Sequence, residues 1–469
     1  MSNFQAIDFF ALLPFMIVLV TAIALLLVET FAEAFSKQYA SWMTLAALIA
    51  AFIASMIAPE SHQELLTPWI RFDALARFFT QFFLLIGIAT TLLSSSFFQR
   101  FDASHGEYFF LQLSAIFGLM LIGASADFLT LFLGIETLSI SLYVLCGYMK
   151  SWRFSSEAAL KYFLMGSLAA AILVYGVALI YGATGTTSFA DMSKGQQGIL
   201  LYSGIALVAL GLAFEAAIVP FQLWAPDVYD GASTPVTAFM AVGTKAGAFA
   251  AFIRVFLGAF PHISFWHEGI AFFAYPTLIY ANIVALRQFQ LRRFFAYSGI
   301  SHAGFLLIPL VAGTPQAIPA MLFYLIVYAA ATLGSFAVLS FLDERSEGVL
   351  LSDLSGLFKT SPYLAGTLSL CLLTLAGIPP SVGFFAKLYI FQVAFQAGYY
   401  SLVVVGLLTT IISAYYYMRI IAIMMSSEVS ETKPLYTRPS IIVSALSAAI
   451  ILLLTCYPEP ILNIVEAMQ

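Results

Sequence analysis

Residues 214–239 read FEAAIVPFQLWAPDVYDGASTPVTAF and place Pro220, Pro226 and Pro235 inside an otherwise apolar stretch. A proline inside a helix removes one backbone hydrogen bond and frees the carbonyl four residues earlier. At membrane depth such a break is tolerated only where protein or water satisfies the freed groups. The stretch therefore predicts an interrupted helix with its break in a protein or water environment.

A second interruption lies in the other half of the chain. Residues 375–387 read LAGIPPSVGFFAK, and Lys387 follows Pro379 and Pro380 much as Lys245 follows the first interruption. Pairs of interrupted helices in the two halves of a transporter mark its ion pathway, commonly within inverted repeats. The two stretches therefore predict an ion pathway with a lysine near each break. Sequence similarity between the halves is weak, so the repeat is only a hypothesis here.

The composition identifies an integral membrane protein. Of 469 residues, 62% are hydrophobic and 9% are charged, and the mean hydropathy is +0.97. Soluble domains carry about 45–50% apolar and about 25% charged residues. The apolar residues suffice for roughly 14 spans, since one transmembrane helix needs about 20 of them. Soluble enzyme domains, nucleic-acid-binding modules and disordered tails are therefore excluded.

The apolar stretches predict an all-α polytopic membrane protein with about 14 transmembrane helices. These are expected at about 8–30, 38–58, 75–98, 108–125, 127–149, 157–183, 199–222, 233–258, 264–287, 293–313, 317–342, 362–396, 400–425 and 438–458. Loops after odd-numbered spans hold twelve Lys and Arg, and loops after even-numbered spans hold four. By the positive-inside rule the odd loops are cytoplasmic, which puts both termini on the non-cytoplasmic side.

Five ionisable residues are taken to fall well within these spans, away from their ends, namely Glu136, Lys161, Glu215, Lys245 and Lys387. At about 2.5–3.5 kcal/mol for each charge, the set costs about 12–18 kcal/mol if all are charged. A buried lysine beside a carboxylate that approaches and recedes can load and release a proton. A static buried ion pair would only fix the helix packing. The cost favours proton transfer, but an i,i+4 structural pair with Glu157 stays open for Lys161.

The sequence leaves more than one interpretation for several other polar residues. His302 either relays protons through its two ring nitrogens or packs in the core. Asp227 and Asp230, in the first interruption, are expected to be solvated and structural. The aromatic run Tyr-Tyr-Tyr at 415–417 is interpreted as packing or as an interfacial belt.

Nothing in the sequence indicates a redox cofactor or a metal site. The cysteines stand singly without a CxxC pair, which argues against a disulfide framework or an iron–sulfur cluster. Four of the five histidines fall in or near predicted loops and His302 lies well inside a predicted span, so a bis-histidine haem is not expected. No cofactor-binding or metal-binding residue is predicted in this chain.

Several segments carry a resemblance: SSEAALKYFLMGSLAAA (155–171), VPFQLWAPDVYDGASTPVTAF (219–239), RRFFAYSGISHAGFLL (292–307), LSDLSGLF (351–358) and LAGIPPSVGFFAKLYIF (375–391). They closely resemble subunit N of bacterial NADH:quinone oxidoreductase, the antiporter-like subunit of respiratory complex I. The PDVYDG segment followed by TPVTAF is the most specific, because sister subunits and multisubunit sodium/proton antiporters usually have an alanine–histidine pattern there. The resemblance covers about residues 100–425.

The resemblance implies 14 helices that include two inverted five-helix repeats. The domains would be an N-terminal three-helix segment (1–98), a first repeat of spans 4–8 (108–258), a second repeat of spans 9–13 (264–425) and a C-terminal helix (438–458). Spans 7 and 12 would be the discontinuous helices, which is where both interruptions fall.

The resemblance also implies roles for individual residues in proton translocation. The family's fifth-helix glutamate matches Glu136, and its sixth-helix lysine matches Lys161. Its lysines of the eighth and twelfth helices match Lys245 and Lys387, and its tenth-helix histidine matches His302.

Two departures from the family pattern affect the expected mechanism. The family usually has lysine where this chain has Glu215, and PFHLW where this chain has PFQLW with Gln222. Two close carboxylates tend to share one proton. Glu136 and Glu215 therefore form a proton-sharing pair with Lys161 or Lys245 as counter-charge, or the subunit pumps by an altered scheme, or it does not pump.

The expected function is proton translocation within NADH:quinone oxidoreductase, driven by quinone reduction elsewhere in the complex. NADH, FMN, iron–sulfur clusters and quinone would belong to partner subunits, and the partners would be other membrane-arm subunits and the lipid bilayer of a bacterial inner membrane. The alternatives are the same subunit in a ferredoxin:plastoquinone complex, a cation/proton antiporter subunit and a non-pumping structural subunit.

Overall fold

The computed structural model describes residues 6–58, 68–101, 103, 105–194, 198–343, 348–430 and 434–468. Over these residues the secondary structure is helical, with turns and isolated bridges but no β-strand. The first half contains α1 (Ala6–Phe31), α2 (Glu33–Ile57), α3 (Ala74–Arg100), α4 (Gly106–Ala124), α5 (Phe128–Cys146), α6 (Ser155–Thr184), α7 (Ile199–Glu215), α8 (Trp224–Gly231) and α9 (Thr234–Phe252). A π-helical segment, Ile253–Ala259, continues α9.

The second half contains α10 (Phe265–Ala285), α11 (Leu291–Ala312), α12 (Ala317–Leu342), α13 (Leu357–Thr360), α14 (Pro362–Ala376), α15 (Val382–Gln396), α16 (Tyr400–Met424), α17 (Arg438–Cys456) and α18 (Glu459–Glu466). The all-α prediction is confirmed. The two short helices α13 and α18 are not among the predicted elements.

The described helices account for the 14 predicted spans. Twelve are long and apolar enough to cross a membrane. The other two spans are each built from two short helices, α7 with α8 and α14 with α15. The prolines of both quoted stretches fall at or beside these breaks, because proline cannot donate the backbone hydrogen bond that would continue the helix.

Aspartates begin two of the spanning helices. Asp73 accepts a hydrogen bond from the backbone N–H of Ala76 at the start of α3, and Asp127 accepts one from Thr130 at the start of α5, each at 2.8 Å. The first N–H groups of a helix lack partners within the helix, and a side-chain oxygen there supplies one. Both apolar runs therefore begin at their aspartates.

The chain divides into two compact units. The first comprises residues 1–151, 155–215 and 246–266. Within it α4 and α5 approach closely at Gly118, where an added Cβ would lie 2.7 Å from the carbonyl oxygen of Gly134. Membrane helices pack through such small residues, because there is no hydrophobic drive between helices in lipid.

The second unit comprises residues 152–154, 216–245 and 267–469. Its centre is α12, which packs against α11, α14, α15 and α17, while α11 also packs against α8 and α15. Both α11 and α12 are buried along most of their length. The second unit thus packs α8, α14 and α15 against its two central helices. The predicted division into two five-helix repeats stays a prediction.

Candidate functional site

Glu136 and Glu215 lie in the first unit, on α5 and at the end of α7, within electrostatic range of each other. Glu136 is half-buried, whereas Glu215 is 8% exposed. Ser139, one turn after Glu136, donates a hydrogen bond to Glu215 Oε1 at 3.2 Å. The buried Oε2 of Glu215 has no hydrogen-bond partner among the described residues. The structure therefore brings the two carboxylates together, and an added proton would remove an unpaired charge from Glu215.

Lys161 differs from the other predicted residues because its side chain is exposed and paired with a carboxylate. On α6 it forms an ion pair with Glu157 at 2.6 Å, and the two side chains are 41% and 54% exposed. The i,i+4 pair that the sequence left open is therefore present. A pair this exposed contributes little to stability, and the role of Lys161 in proton transfer stays a prediction.

Lys245 lies inside the second unit with its side chain almost fully buried. Its ammonium donates a hydrogen bond to Tyr229 Oη at 3.1 Å and lies 5.4 Å from the centre of the Tyr229 ring. Tyr229 belongs to α8, the short helix after the first break. The interruption therefore supplies the partner of the lysine, and that partner is uncharged.

Lys387, on α15, is buried to a similar degree. Its ammonium donates to the carbonyl oxygen of Ala376 at 2.9 Å and lies 4.5 Å from the ring centre of Phe305. Ala376 is the last residue of α14, and Gly377 ends that helix with φ 74°. A cation is favoured at a helix C-terminus, because the last carbonyls have no partners there. The second break therefore also supplies an uncharged partner.

His302 lies near both buried lysines within the second unit. Its ring contacts Tyr328, at 4.9 Å between ring centres, and Phe305, at 6.3 Å. The Phe305 ring also contacts the Lys387 ammonium, and the Tyr328 hydroxyl and the Lys245 ammonium both lie beside Gly299. The structure therefore brings together Lys245, His302 and Lys387, which the sequence places 142 residues apart from end to end.

Both ring nitrogens of His302 have tyrosine partners. Nδ1 lies 2.6 Å from Tyr324 Oη, and Nε2 lies 3.2 Å from Tyr417 Oη. Tyr417 is fully buried and Tyr416 is nearly so, which agrees with the interpretation of the tyrosine run as packing, although Tyr417 also contacts the histidine. Tyr415 is exposed and points outward, which agrees with the interpretation as an interfacial belt. Because an α-helix turns by about 100° per residue, the three side chains point in different directions.

The PDVYDG segment is held by two arginines at the start of α11. Arg292 donates to the carbonyl oxygens of Asp230 and Ala232 at 3.0 and 2.9 Å. Arg293 pairs with Asp227 at 2.8 Å and with Asp230 at 3.7 Å. Asp227 and Asp230 are structural as expected, but they are ion-paired and not merely solvated.

Buried arginines in the described chain have carboxylate partners. Arg292 pairs with Asp343 at 2.7 Å, with both side chains buried, and Thr234 donates to the same carboxylate. Arg254 forms two hydrogen bonds with Asp73, at 2.6 and 2.7 Å. Such pairs compensate buried charge and fix packing. They contrast with the two buried lysines, whose described hydrogen-bond partners are a hydroxyl and a backbone carbonyl.

Gln222, the second departure from the family pattern, lies in the turn that follows the first break. It is buried, and its Oε1 has no hydrogen-bond partner among the residues described. In the same described part of the chain, no three His, Cys, Asp or Glu side chains are grouped so that they could hold a metal ion.

Sequence reasoning missed the hydroxyl groups around the charged residues. Tyr229, Tyr324 and Tyr417 contact Lys245 or His302, and Ser139 contacts Glu215. Their signal in the sequence is weak, because a tyrosine in an apolar run reads as packing. Only the offset of Ser139 by three residues from Glu136 could have indicated a shared helix face.

These features define a class: polytopic membrane proteins with two interrupted helices and buried lysines beside the breaks. A family model described as NADH:quinone oxidoreductase/Mrp antiporter, transmembrane, matches residues 125–413. The chain belongs to this family.

Within the family, the chain is 58% identical to NADH-quinone oxidoreductase subunit N of Protochlamydia amoebophila, over 98% of each chain. It is 33% identical to a chain of respiratory complex I from Thermus thermophilus, with a TM-score of 0.84, covering 96% of this chain and 98% of that one. A chain of the Mrp complex from Dietzia shares the fold at 20% identity, with a TM-score of 0.84 and coverage of 97% and 96%.

The prediction of subunit N is therefore confirmed. The named relatives do not favour the ferredoxin:plastoquinone complex or the free-standing cation/proton antiporter as alternatives.

Proposed function

We propose that this chain carries protons across the membrane through Lys245, His302 and Lys387, as subunit N of a proton-translocating NADH:quinone oxidoreductase. The observation that carries the proposal is the pair of buried lysines with uncharged partners. An ionisable group inside a membrane protein is expensive and marks an ion pathway or a proton relay. A lysine without a carboxylate partner can lose its proton without leaving an uncompensated charge behind.

The histidine gives the two lysines a common neighbour. A neutral imidazole offers one ring nitrogen as acceptor and the other as donor, so it can take a proton on one side and release one on the other. Both nitrogens of His302 already face tyrosine hydroxyls. We therefore assign His302 the relay role, with Lys245 and Lys387 as proton carriers.

Glu136 and Glu215 are proposed to act as a proton-sharing pair in the first unit. The unpartnered Oε2 of Glu215 supports this assignment, because a buried carboxylate oxygen without a partner favours a bound proton. The change in charge of this pair would modulate the lysines, and Lys161 would supply a further relay. The scheme differs from the usual one of the family, in which a lysine stands at the position of Glu215.

The rest of the assembly follows from the same proposal. NADH, FMN, iron–sulfur clusters and quinone would be bound by partner subunits, and this chain would lie among the other membrane-arm subunits in a bacterial inner membrane. The excess of basic residues in the odd-numbered loops supports cytoplasmic odd loops and non-cytoplasmic termini. The paired breaks α7–α8 and α14–α15 support two five-helix repeats.

The test is NADH-driven acidification of inverted membrane vesicles that carry the whole complex. Lys245→Ala and Lys387→Ala should each lower proton pumping at least about tenfold, since a positioned proton carrier contributes about 100-fold or more. Lys359→Ala, at an exposed lysine, is the matched control and should pump normally. Subunit content of the membranes is measured in parallel. Normal pumping in both alanine variants at normal assembly would sink the proposal.

A further inference from the structure

A cleft opens on the second unit at the ends of α10, α12 and α16. Its volume is about 760 Å³, and its lining includes Asp353, Ser355, Arg419 and Glu428. Most of the lining residues lie in the segments after spans 9, 11 and 13, all odd-numbered, and Arg419 lies in the last turns of α16. On the charge bias of the loops, this is the cytoplasmic side.

A smaller cavity of about 10 Å³ continues from the cleft. It shares Leu351 and Arg419 with the cleft, and Tyr416 and Phe294 line it further along. A cavity of roughly 10–15 Å³ holds about one water molecule, provided that polar partners are present. Tyr416 and Arg419 supply such groups. The small cavity therefore lies beside the cleft, has room for about one water molecule and is lined by a buried tyrosine.

Hydrogen-bonding groups continue from that tyrosine to the relay histidine. The rings of Tyr416 and Tyr417 lie 4.6 Å apart between centres. Tyr417 Oη lies 2.5 Å from Ser298 Oγ and 3.2 Å from His302 Nε2. Tyr416 donates to Asn282 Oδ1 at 3.0 Å, which fixes its ring. Tyr416 therefore lines the small cavity, and the neighbouring Tyr417 contacts the histidine.

We propose that protons enter this subunit from the cleft through Tyr416 and Tyr417 and reach His302, an inlet in the second unit. This rests on the proposed function, and it adds the route by which the relay is loaded. A hydronium ion in the small cavity gives its proton to the oxygen of Tyr416, whose own hydrogen turns from Asn282 Oδ1 toward the oxygen of Tyr417 and is passed there. Tyr417 passes a hydrogen to Nε2 of a His302 that is unprotonated there, and each hydroxyl ends neutral.

The charges at the mouth suit this use. Asp353 and Glu428 line the cleft and place two acidic side chains at its mouth. Arg419 also lines it, but its guanidinium donates to the carbonyl oxygen of Leu286 at 3.0 Å and lies 5.6 Å from the Phe289 ring centre. The arginine is therefore held against the wall, and the two carboxylates offset its charge.

The test uses three neighbouring tyrosines in the whole complex. Tyr416→Phe and Tyr417→Phe remove one oxygen each, and Tyr415→Phe is the matched control on the exposed face of the same helix. If this is the inlet, pumping per assembled complex falls about tenfold or more in both inner variants. The Tyr415→Phe variant stays at the wild-type level. A purely structural role would lower the amount of assembled complex without changing pumping per complex.

The outcomes separate the inlet from the proposed function. Normal pumping in Tyr416→Phe and Tyr417→Phe, with lost pumping in Lys387→Ala, overturns the inlet and leaves the lysine pathway standing. Normal pumping in all three overturns both. The side of the cleft is measured in a Cys456→Ala background with Ser352→Cys, an exposed position lining the cleft. A membrane-impermeant maleimide should label it in inverted vesicles, and labelling only in right-side-out vesicles overturns the inlet.

Discussion

A single methyl group added at Gly299 should move the Lys245 ammonium without lowering the stability of the protein. At Gly299 on α11, an added Cβ would lie 2.8 Å from Lys245 Nζ and 2.9 Å from its Cε. Ordinary contacts of a Cβ begin at 3.4 Å, so the ammonium must move by about 0.6 Å, the difference between 3.4 and 2.8 Å. The moving atoms are the end of a flexible side chain, so the helix can accept the Gly299→Ala substitution.

The displaced ammonium loses its 3.1 Å hydrogen bond to Tyr229. A hydrogen bond to a charged group contributes about 1.5–3 kcal/mol, and each 1.36 kcal/mol corresponds to a factor of ten in rate. Proton pumping by Gly299→Ala should therefore fall about 10- to 150-fold. Thermal stability should change little, because alanine is favoured over glycine in a helix by about 0.5–1 kcal/mol, which offsets the crowding.

The assay is NADH-driven acidification in inverted vesicles, normalised to assembled complex. Gly366→Ala, on α14, is the matched control, because a Cβ there has nothing within 4 Å. It gains the same helix preference without touching the lysine and should pump normally. Wild-type pumping in Gly299→Ala would refute the reasoning, since the exact seat of the Lys245 ammonium would then not matter.

Three further outcomes are expected. Glu215→Gln keeps the shape but removes the titratable proton, so vesicle acidification should fall about tenfold or more if the carboxylate pair is active; unchanged pumping in Glu215→Gln and Glu215→Lys would make the pair dispensable. Arg292→Ala leaves the buried carboxylate of Asp343 unpaired, at a cost of about 3–5 kcal/mol, and should lower the amount of complex in the membrane; normal assembly would contradict this. Burial raises the pKa of Asp73, but its hydrogen bonds and ion pair with the Arg254 guanidinium outweigh this and hold the pKa below its usual 3.8. This stabilisation is therefore present above about pH 3.8 and is lost as the pH falls through the lowered value, so Asp73→Asn should lower the melting temperature at pH 7, and the difference should shrink in acid.

The arginines and the lysines of this chain do different work for a physical reason. Guanidinium groups stay protonated and form several fixed hydrogen bonds at once. Arg292 uses this property to hold the backbone of α8 while it pairs with Asp343. That helix carries Tyr229 to the Lys245 ammonium. A lysine, by contrast, can lose its proton when it is buried, so it suits the step in which a proton is transferred.

Much of the fold could be read from the sequence because a bilayer imposes strict rules. Apolar runs of about 20 residues must span, and prolines must interrupt. The 14 spans, the two discontinuous ones and the lysines near both breaks were therefore predictable. The position of the break after Glu215, inside the span expected at about 199–222, could not be read from hydropathy, because the residues that follow are as apolar as the helix itself. Hydropathy does not register where a backbone hydrogen-bond ladder stops.

The sequence by itself determined which residues are costly in a membrane: Glu136, Glu215, Lys245, His302 and Lys387 interrupt apolar runs whatever their neighbours are. Only the tertiary structure decided which partners they meet. Hydrogen bonds between distant helices, such as Tyr417 to His302 over 115 residues, depend on helix rotation and crossing. Adjacent tyrosines illustrate the limit, because Tyr415 and Tyr416 are alike in the sequence and differ only in the direction that the packed helix gives them. The cost of a charge inside an apolar run can be read from the local sequence. A hydrogen bond between two helices depends on how their surfaces pack together.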